Sequence, residues 1–284
     1  MPRRVDRPYV RYFSTVSLRR RHDRTGIASG LVAVALCLAV VGGSQALAAP
    51  DADDAADAQP PSAPDNEVGT LEGTDLDVLQ GRDAVAQLEQ SGTLDEVADE
   101  VGLEPDELRD ELLEDSSMFL TDTGVIGYAD TADWSPATPA AALSVAALPA
   151  NVFDLHSRPT SSRVIYLDFD GHSAADPEWA SIGYPSIVSA PFDIDGVPGS
   201  FSAAEQSLIY EVWQRVAEDY RPFDVNITTR DPGLEGIRRT SSVDAAYGQR
   251  VVITPSNFAG SSVIGVALLD VFGSDADHAA YAFA

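Results

Sequence analysis

Between residues 75 and 113, apolar side chains recur three and four positions apart. Leu94, Val97 and Ala98 precede Gly102, and Pro105 opens a further run carrying Leu108 and Leu112. This spacing predicts helices in at least two pieces. Residues 118–128 read as a hairpin turning at Asp122 and Gly124. Residues 163–169 then form a largely apolar run, with Val164 to Phe169 interrupted only by Asp168. Such a run predicts a central strand buried on both faces rather than an alternating, half-exposed one. Ser202 and Glu205 make a capping box ahead of a helix running to about Tyr220. Ile209, Trp213, Val216 and Tyr220 mark its apolar stripe. Strands are predicted over 223–229, 250–254 and 263–272, with a short one at 279–283. A strand, a helix and then several strands predict an α/β layer with a mostly parallel sheet.

Low-complexity stretches divide the chain. Residues 51–67 are rich in Asp, Ala and Pro, a composition that cannot build a packed core. Residues 134–150 are rich in Ala, Pro and Ser and read as a linker. The expected organisation is an export segment at 1–49, an acidic, partly disordered region at 50–133, the linker at 134–150, and a second unit at 151–284.

The export segment has eight arginines between Arg3 and Arg24, then an uncharged, largely apolar stretch over 26–49. Ala46, Leu47 and Ala48 supply an A-x-A site, placing signal cleavage between Ala48 and Ala49. An uncleaved transmembrane anchor is the competing reading, since the stretch is long enough to span. Cys37 is the sole cysteine and reads as an ordinary apolar residue of that segment. The exported part therefore has no thiol for disulfides, metal or nucleophilic attack. It also has no lysine. From residue 50 onward ten arginines face 43 acids, because only Asp6 and Asp23 of the 45 acids precede it, a balance of −33. Such a chain repels nucleic acid and anionic membrane. With the N-terminal signal, membrane contact is expected only during export, and the protein is expected to be secreted. The cadence from Ala98 to Gly102 resembles a helix-turn-helix, but eleven acids and one arginine over 94–115 exclude DNA contact.

Several motifs carry candidate chemistry. Asp168, Asp170 and Gly171 at the end of an apolar strand resemble the D-x-D-G motif of haloacid-dehalogenase-type phosphatases, in which the first Asp attacks phosphorus and magnesium bridges the pair. His172 follows where Thr or Ser is usual, no lysine exists, and Asp275 and Asp277 are the nearest late acids. His22, His156, His172 and His278 include no pair at i, i+4 and no H-E-x-x-H, so each reads as a structural residue. Asp193, Asp195 and Gly196 resemble the start of a calcium loop, but Ala204 stands at the twelfth position. They read as a tight acidic turn, with a calcium role for Asp193 and Asp195 as the alternative. No G-x-S-x-G and no Gly-rich phosphate loop occur.

The second unit carries a wider resemblance. Phe153 to Pro159, the run 163–172, Pro191 to Gly196, the Trp213 helix, Pro222 to Thr229 and Arg250 to Ile253 follow one another in an order. That order resembles the N-terminal half of the catalytic domain in secreted bacterial zinc metalloproteases of the reprolysin-like, metzincin type. The resemblance implies a metzincin-like N-terminal subdomain, a twisted sheet with a long helix, preceded by a small helical pro-region. It implies zinc, a protein or peptide substrate, and an edge strand at Gly265, Val266, Ala267, Leu268 and Leu269 that pairs with substrate backbone. In that family the zinc sits on an H-E-x-x-H helix after the edge strand. No position here matches that helix, so no zinc ligand or catalytic residue is assigned, and the chain is expected to be inactive and incomplete. Apolar surface around 251–253 and 266–269 is then expected to face water. The competing readings are the magnesium-dependent phosphatase and a non-enzymatic exported acidic binding protein.

Overall fold

A computed structural model describes residues 76–131 and 148–284. The expected export segment with its expected cleavage between Ala48 and Ala49, the acidic stretch at 51–67 and most of the expected linker lie outside the described residues.

The first described region folds as three helices and a hairpin. Helices α1 (Gly81–Ser91), α2 (Leu94–Glu100) and α3 (Pro105–Glu114) bury Leu88, Val97, Ala98, Leu108 and Leu112 against one another. Pro105 begins α3, where its missing N–H costs nothing, and the Glu107 carboxylate accepts from the Glu104 backbone N–H. The predicted hairpin forms as β1 (Met118–Leu120) and β2 (Ile126–Thr131). Met118 and Leu120 point into the helical core.

The second region supplies β3 (Arg163–Asp168), β4 (His172–Ala174), α4 (Pro177–Ser181), β5 (Ile187–Ser189) and α5 (Ala203–Asp219). It continues through β6 (Asn226–Thr228), α6 (Leu234–Ile237), β7 (Tyr247–Thr254), β8 (Val263–Leu268) and β9 (Ala280–Phe283). One seven-stranded sheet runs β1-β2-β8-β9-β7-β3-β6, and β4 and β5 pair separately. Strand β3 is buried along its length except at Arg163, as its continuous apolar run predicts. Helix α5 covers one face, setting Ile209, Val212 and Val216 on Ile165, Leu167, Val251, Ile253 and Ala282. On the other face Trp179, Ile182 and Ile187 pack with Val252, Val266 and Tyr281.

Three expectations need correction. The sheet is mixed rather than mostly parallel: β3–β6, β3–β7 and β7–β9 are parallel, while β1–β2, β2–β8 and β8–β9 are antiparallel. The cause is the hairpin of the first region, which joins the sheet instead of standing apart. The strand expected over 263–272 ends at Leu268, because Asp270 adopts a left-handed conformation (φ 54°) that turns the chain. Finally, the apolar side chains at 251–253, 266, 268 and 269 do not face water. Val252 and Ile253 are fully buried, and Leu269, 5% exposed, joins the core of the three helices.

Candidate functional site

The strand the resemblance assigns to substrate backbone is an interior strand of this sheet. On one side β8 pairs with β9, Gly265 opposite Ala282 and Val266 opposite Tyr281. On the other side β2 lies antiparallel to it, with Gly127 opposite Leu268, Tyr128 opposite Ala267, Ala129 opposite Val266 and Asp130 opposite Gly265. The Leu269 N–H adds a bond to the Ile126 carbonyl at 2.8 Å. Gly265 to Leu269 therefore meet a strand from the chain's own first region where an open edge was expected.

Local chemistry explains the close fit. Gly127 is buried, and a Cβ there would stand 2.3 Å from Cζ of Phe119 and 2.8 Å from the Ala267 carbonyl oxygen. Only glycine lets the Phe119 ring lie across β2 while β2 stays in register on β8. The hairpin turn is tied down too, since the Thr123 hydroxyl donates to the Glu178 carboxylate at 3.0 Å.

A second cluster sits at the carboxyl end of β3, beside Arg250 in the middle of β7. The Arg250 guanidinium donates from Nη1 to Asp168 Oδ2 at 2.6 Å and from Nε to Asp277 Oδ2 at 2.9 Å. It also lies over the Tyr166 ring, 5.1 Å from the centroid. Asp168 and Arg250 are almost completely buried, at 1% and 7% exposure. Burial, reinforced by neighbouring Asp170, pushes the Asp168 carboxyl up to about 7 against the opposing pull of Arg250. The 2.6 Å ion pair alone would lower it. The upward direction stands because the cost of burying the charged carboxylate is the largest contribution, and Asp170 adds to it. Burial and Arg250 lower the His172 pKa, favouring the neutral imidazole. Asp168 Oδ1, Asp277 Oδ1, His172 Nε2 and Tyr281 Oη are buried without a hydrogen-bond partner among the described residues.

This geometry bears on the phosphatase reading. A nucleophilic aspartate must reach phosphorus, yet Asp168 is shut away from solvent. Asp168 Oδ2, one half of the pair that magnesium would bridge with Asp170, is taken by the Arg250 guanidinium. The structure thus brings Asp168, Asp277 and His172 together but leaves Asp170 exposed.

The histidines do not converge. His156 Nδ1 lies 3.0 Å from the Asn226 amide, and His278 Nδ1 lies 2.8 Å from Asp176 Oδ2. Among the described residues, one group of three potential ligands can gather on an ion: Asp193, Asp195 and Glu205, with ligand atoms within 4.8 Å of one another. All its donors are oxygens, which suit a hard cation such as calcium rather than zinc. The zinc implied by the resemblance therefore finds no fitting donor set among the described residues. Even the oxygens are engaged. Asp193 Oδ1 accepts from the N–H groups of Asp195, Gly196 and Val197, and fully buried Glu205 accepts from those of Ile194 and Ser202. These backbone bonds hold the Glu205 pKa below its ordinary value against the cost of burial.

Three partnerships escaped the sequence reading. An arginine opening the apolar run 251–253 was a signal that a buried acid would be needed, but nothing named Asp168 and Asp277. The capping box marked Glu205 without showing its second bond to Ile194. The β2–β8 pairing had no sequence signal. Comparisons with family models, curated proteins and solved structures return no match.

Proposed function

We propose that this chain is a secreted peptidase precursor, of the zinc-dependent endopeptidase type that the resemblance implies. Strand β8 is the seat for an extended polypeptide, and the first region is its built-in cover. The observation that carries the reading is the antiparallel seating of Gly127 to Asp130 on Val266 to Leu268 and Gly265. Strand addition uses main-chain N–H and C=O groups that every peptide has, so one strand can stand in for another. Its affinity comes from the ladder and its selectivity from alternate side chains. The hydrolytic step is assigned to no described residue, and no metal enters this proposal beyond the resemblance. The acidic exported composition favours a partner that is a polypeptide rather than a nucleic acid or an anionic membrane.

The test uses the full chain. A fluorescent peptide copying residues 125–131 is titrated into wild type and into Gly127→Val, which unseats β2. Tight binding to the variant, weak binding to wild type and protection of the 263–269 amides are expected. Equal binding of a scrambled peptide, or no binding to a folded variant, would overturn the reading.

A further inference from the structure

At the carboxyl ends of β3 and β6 a cavity of about 340 Å³ opens, walled by Phe153, Phe169, Phe201 and Tyr166. Asp170 and Asp231 complete its polar lining. In α/β sheets this end of the parallel strands is where connecting loops diverge and leave room for ligands.

The walls are aromatic and braced. Phe153 and Phe201 meet with centroids 4.7 Å apart and planes tilted by 49°, forming a corner. Phe169 is buried and held edge-on by Phe192 at 5.8 Å. The hydroxyl of Thr229, at the base, is spent on the Val152 carbonyl and the Leu155 N–H.

The charge is one-sided. Among the described residues no arginine or histidine lies within ion-pair distance of Asp170 or Asp231. Arg230, next to Asp231 in the chain, turns instead to Asp154 at 3.7 Å. Arg250, over the Tyr166 ring, is committed to Asp168 and Asp277.

We propose that this cavity binds an organic monocation, an ammonium, amidinium or guanidinium group on a compact apolar body. The head lies between Asp170 and Asp231, and the body lies against Phe153 and Phe201. Aromatic faces carry negative quadrupole potential and add to the attraction of the two carboxylates, so the cavity favours a cation and repels an anion. The volume admits a group about the size of one substituted ring. A free amine and the basic side chain of a polypeptide share this chemistry. The site does not rest on the peptide-strand reading, because β9, β7 and β3 separate β8 from β6 in the sheet.

Calorimetric titration of the full chain tests it, with benzamidine against its uncharged counterpart benzamide. Benzamidine should bind about tenfold tighter at low salt, and salt should erode the difference. The double variant Asp170→Asn, Asp231→Asn should reduce benzamidine to the benzamide level. Each asparagine keeps a side-chain oxygen for the bond it now accepts, from the Tyr166 hydroxyl and the Gly233 N–H, so the fold is retained. N-acetylarginine amide separates the sources. If it binds as benzamidine does, the ligand includes basic side chains. If benzamidine alone binds, the ligand is a small amine. Benzamide binding as tightly as benzamidine in wild type, or undiminished benzamidine binding in the folded double variant, would overturn the proposal.

Discussion

Replacing Gly127 with valine attacks the contact that covers β8. The nearest atoms to a new Cβ would be Cζ and Cε2 of Phe119, at 2.3 and 2.6 Å, and the Ala267 carbonyl oxygen at 2.8 Å. A side-chain rotation can relieve the ring contacts but not the backbone oxygen. Phe119 has little freedom, since it is fully buried in the cluster that contains Trp179 and Val266. Overpacking of this kind costs about 1–3 kcal/mol, and expelling a buried phenylalanine costs about 3–5 kcal/mol. A local loss of about 3 kcal/mol is therefore expected, enough to separate β2 from β8 part of the time. At about 1.4 kcal/mol per decade, amides of residues 263–269 should exchange roughly a hundredfold faster. Hydrogen exchange read by mass spectrometry on a peptide spanning those residues measures it. Gly265→Ala is the matched control on the opposite strand. Its Cβ would stand 3.4 Å from the Tyr281 oxygen, an ordinary contact, and should leave exchange near wild type. If Gly127→Val lowers the melting temperature while exchange at 263–269 stays at the wild-type rate, the strain is absorbed elsewhere and β2 is not the cover.

Four further outcomes are expected. Arg250→Met leaves the carboxylates of Asp168 and Asp277 buried without their cation and should cost about 3–5 kcal/mol in urea unfolding at neutral pH. A loss under 1 kcal/mol would show the cluster to be hydrated. Asp168 holds its proton more tightly folded than unfolded, so its stabilising contribution is complete below the ordinary value of 3.8 and is lost as pH rises to about 7. Asp168→Asn should flatten the stability profile over that window relative to wild type, by at most about 1.4 kcal/mol per pH unit. Glu205 works in the opposite sense: its lowered pKa adds stability above its ordinary 4.5 that is lost as pH falls through the folded value. Glu205→Ala strands two backbone N–H groups and should cost about 1–3 kcal/mol. Because backbone N–H groups already occupy both Glu205 oxygens and Asp193 Oδ1, millimolar calcium should leave the melting temperature unchanged. A rise abolished by Asp195→Asn would make the triad a calcium site.

Local rules carried a good part of the fold. The three-and-four spacing of Leu108 and Leu112, Pro105 at a helix start, the Ser202–Glu205 box and the apolar run of β3 each describe energies settled within a few residues. Those elements stand where they were read. The acidic turn at Asp193 was legible for the same reason, since its carboxylate bonds to N–H groups two to four residues away.

What the sequence could not decide is who sits beside whom. Antiparallel addition of β2 to β8 joins residues some 140 apart through backbone groups that every residue carries, so no residue type announces it. Its one side-chain requirement, the missing Cβ of Gly127, gains meaning only when Phe119 and Ala267 close around it. Arg250 likewise reads as an oddity in an apolar strand until the sheet brings Asp168, 82 residues away, within 2.6 Å. The aromatic cavity gathers Phe153, Phe201 and Asp231 from three separate loops. Secondary structure followed from short-range periodicity. The covered strand, the shared guanidinium and the cavity exist only because strand order places distant residues side by side.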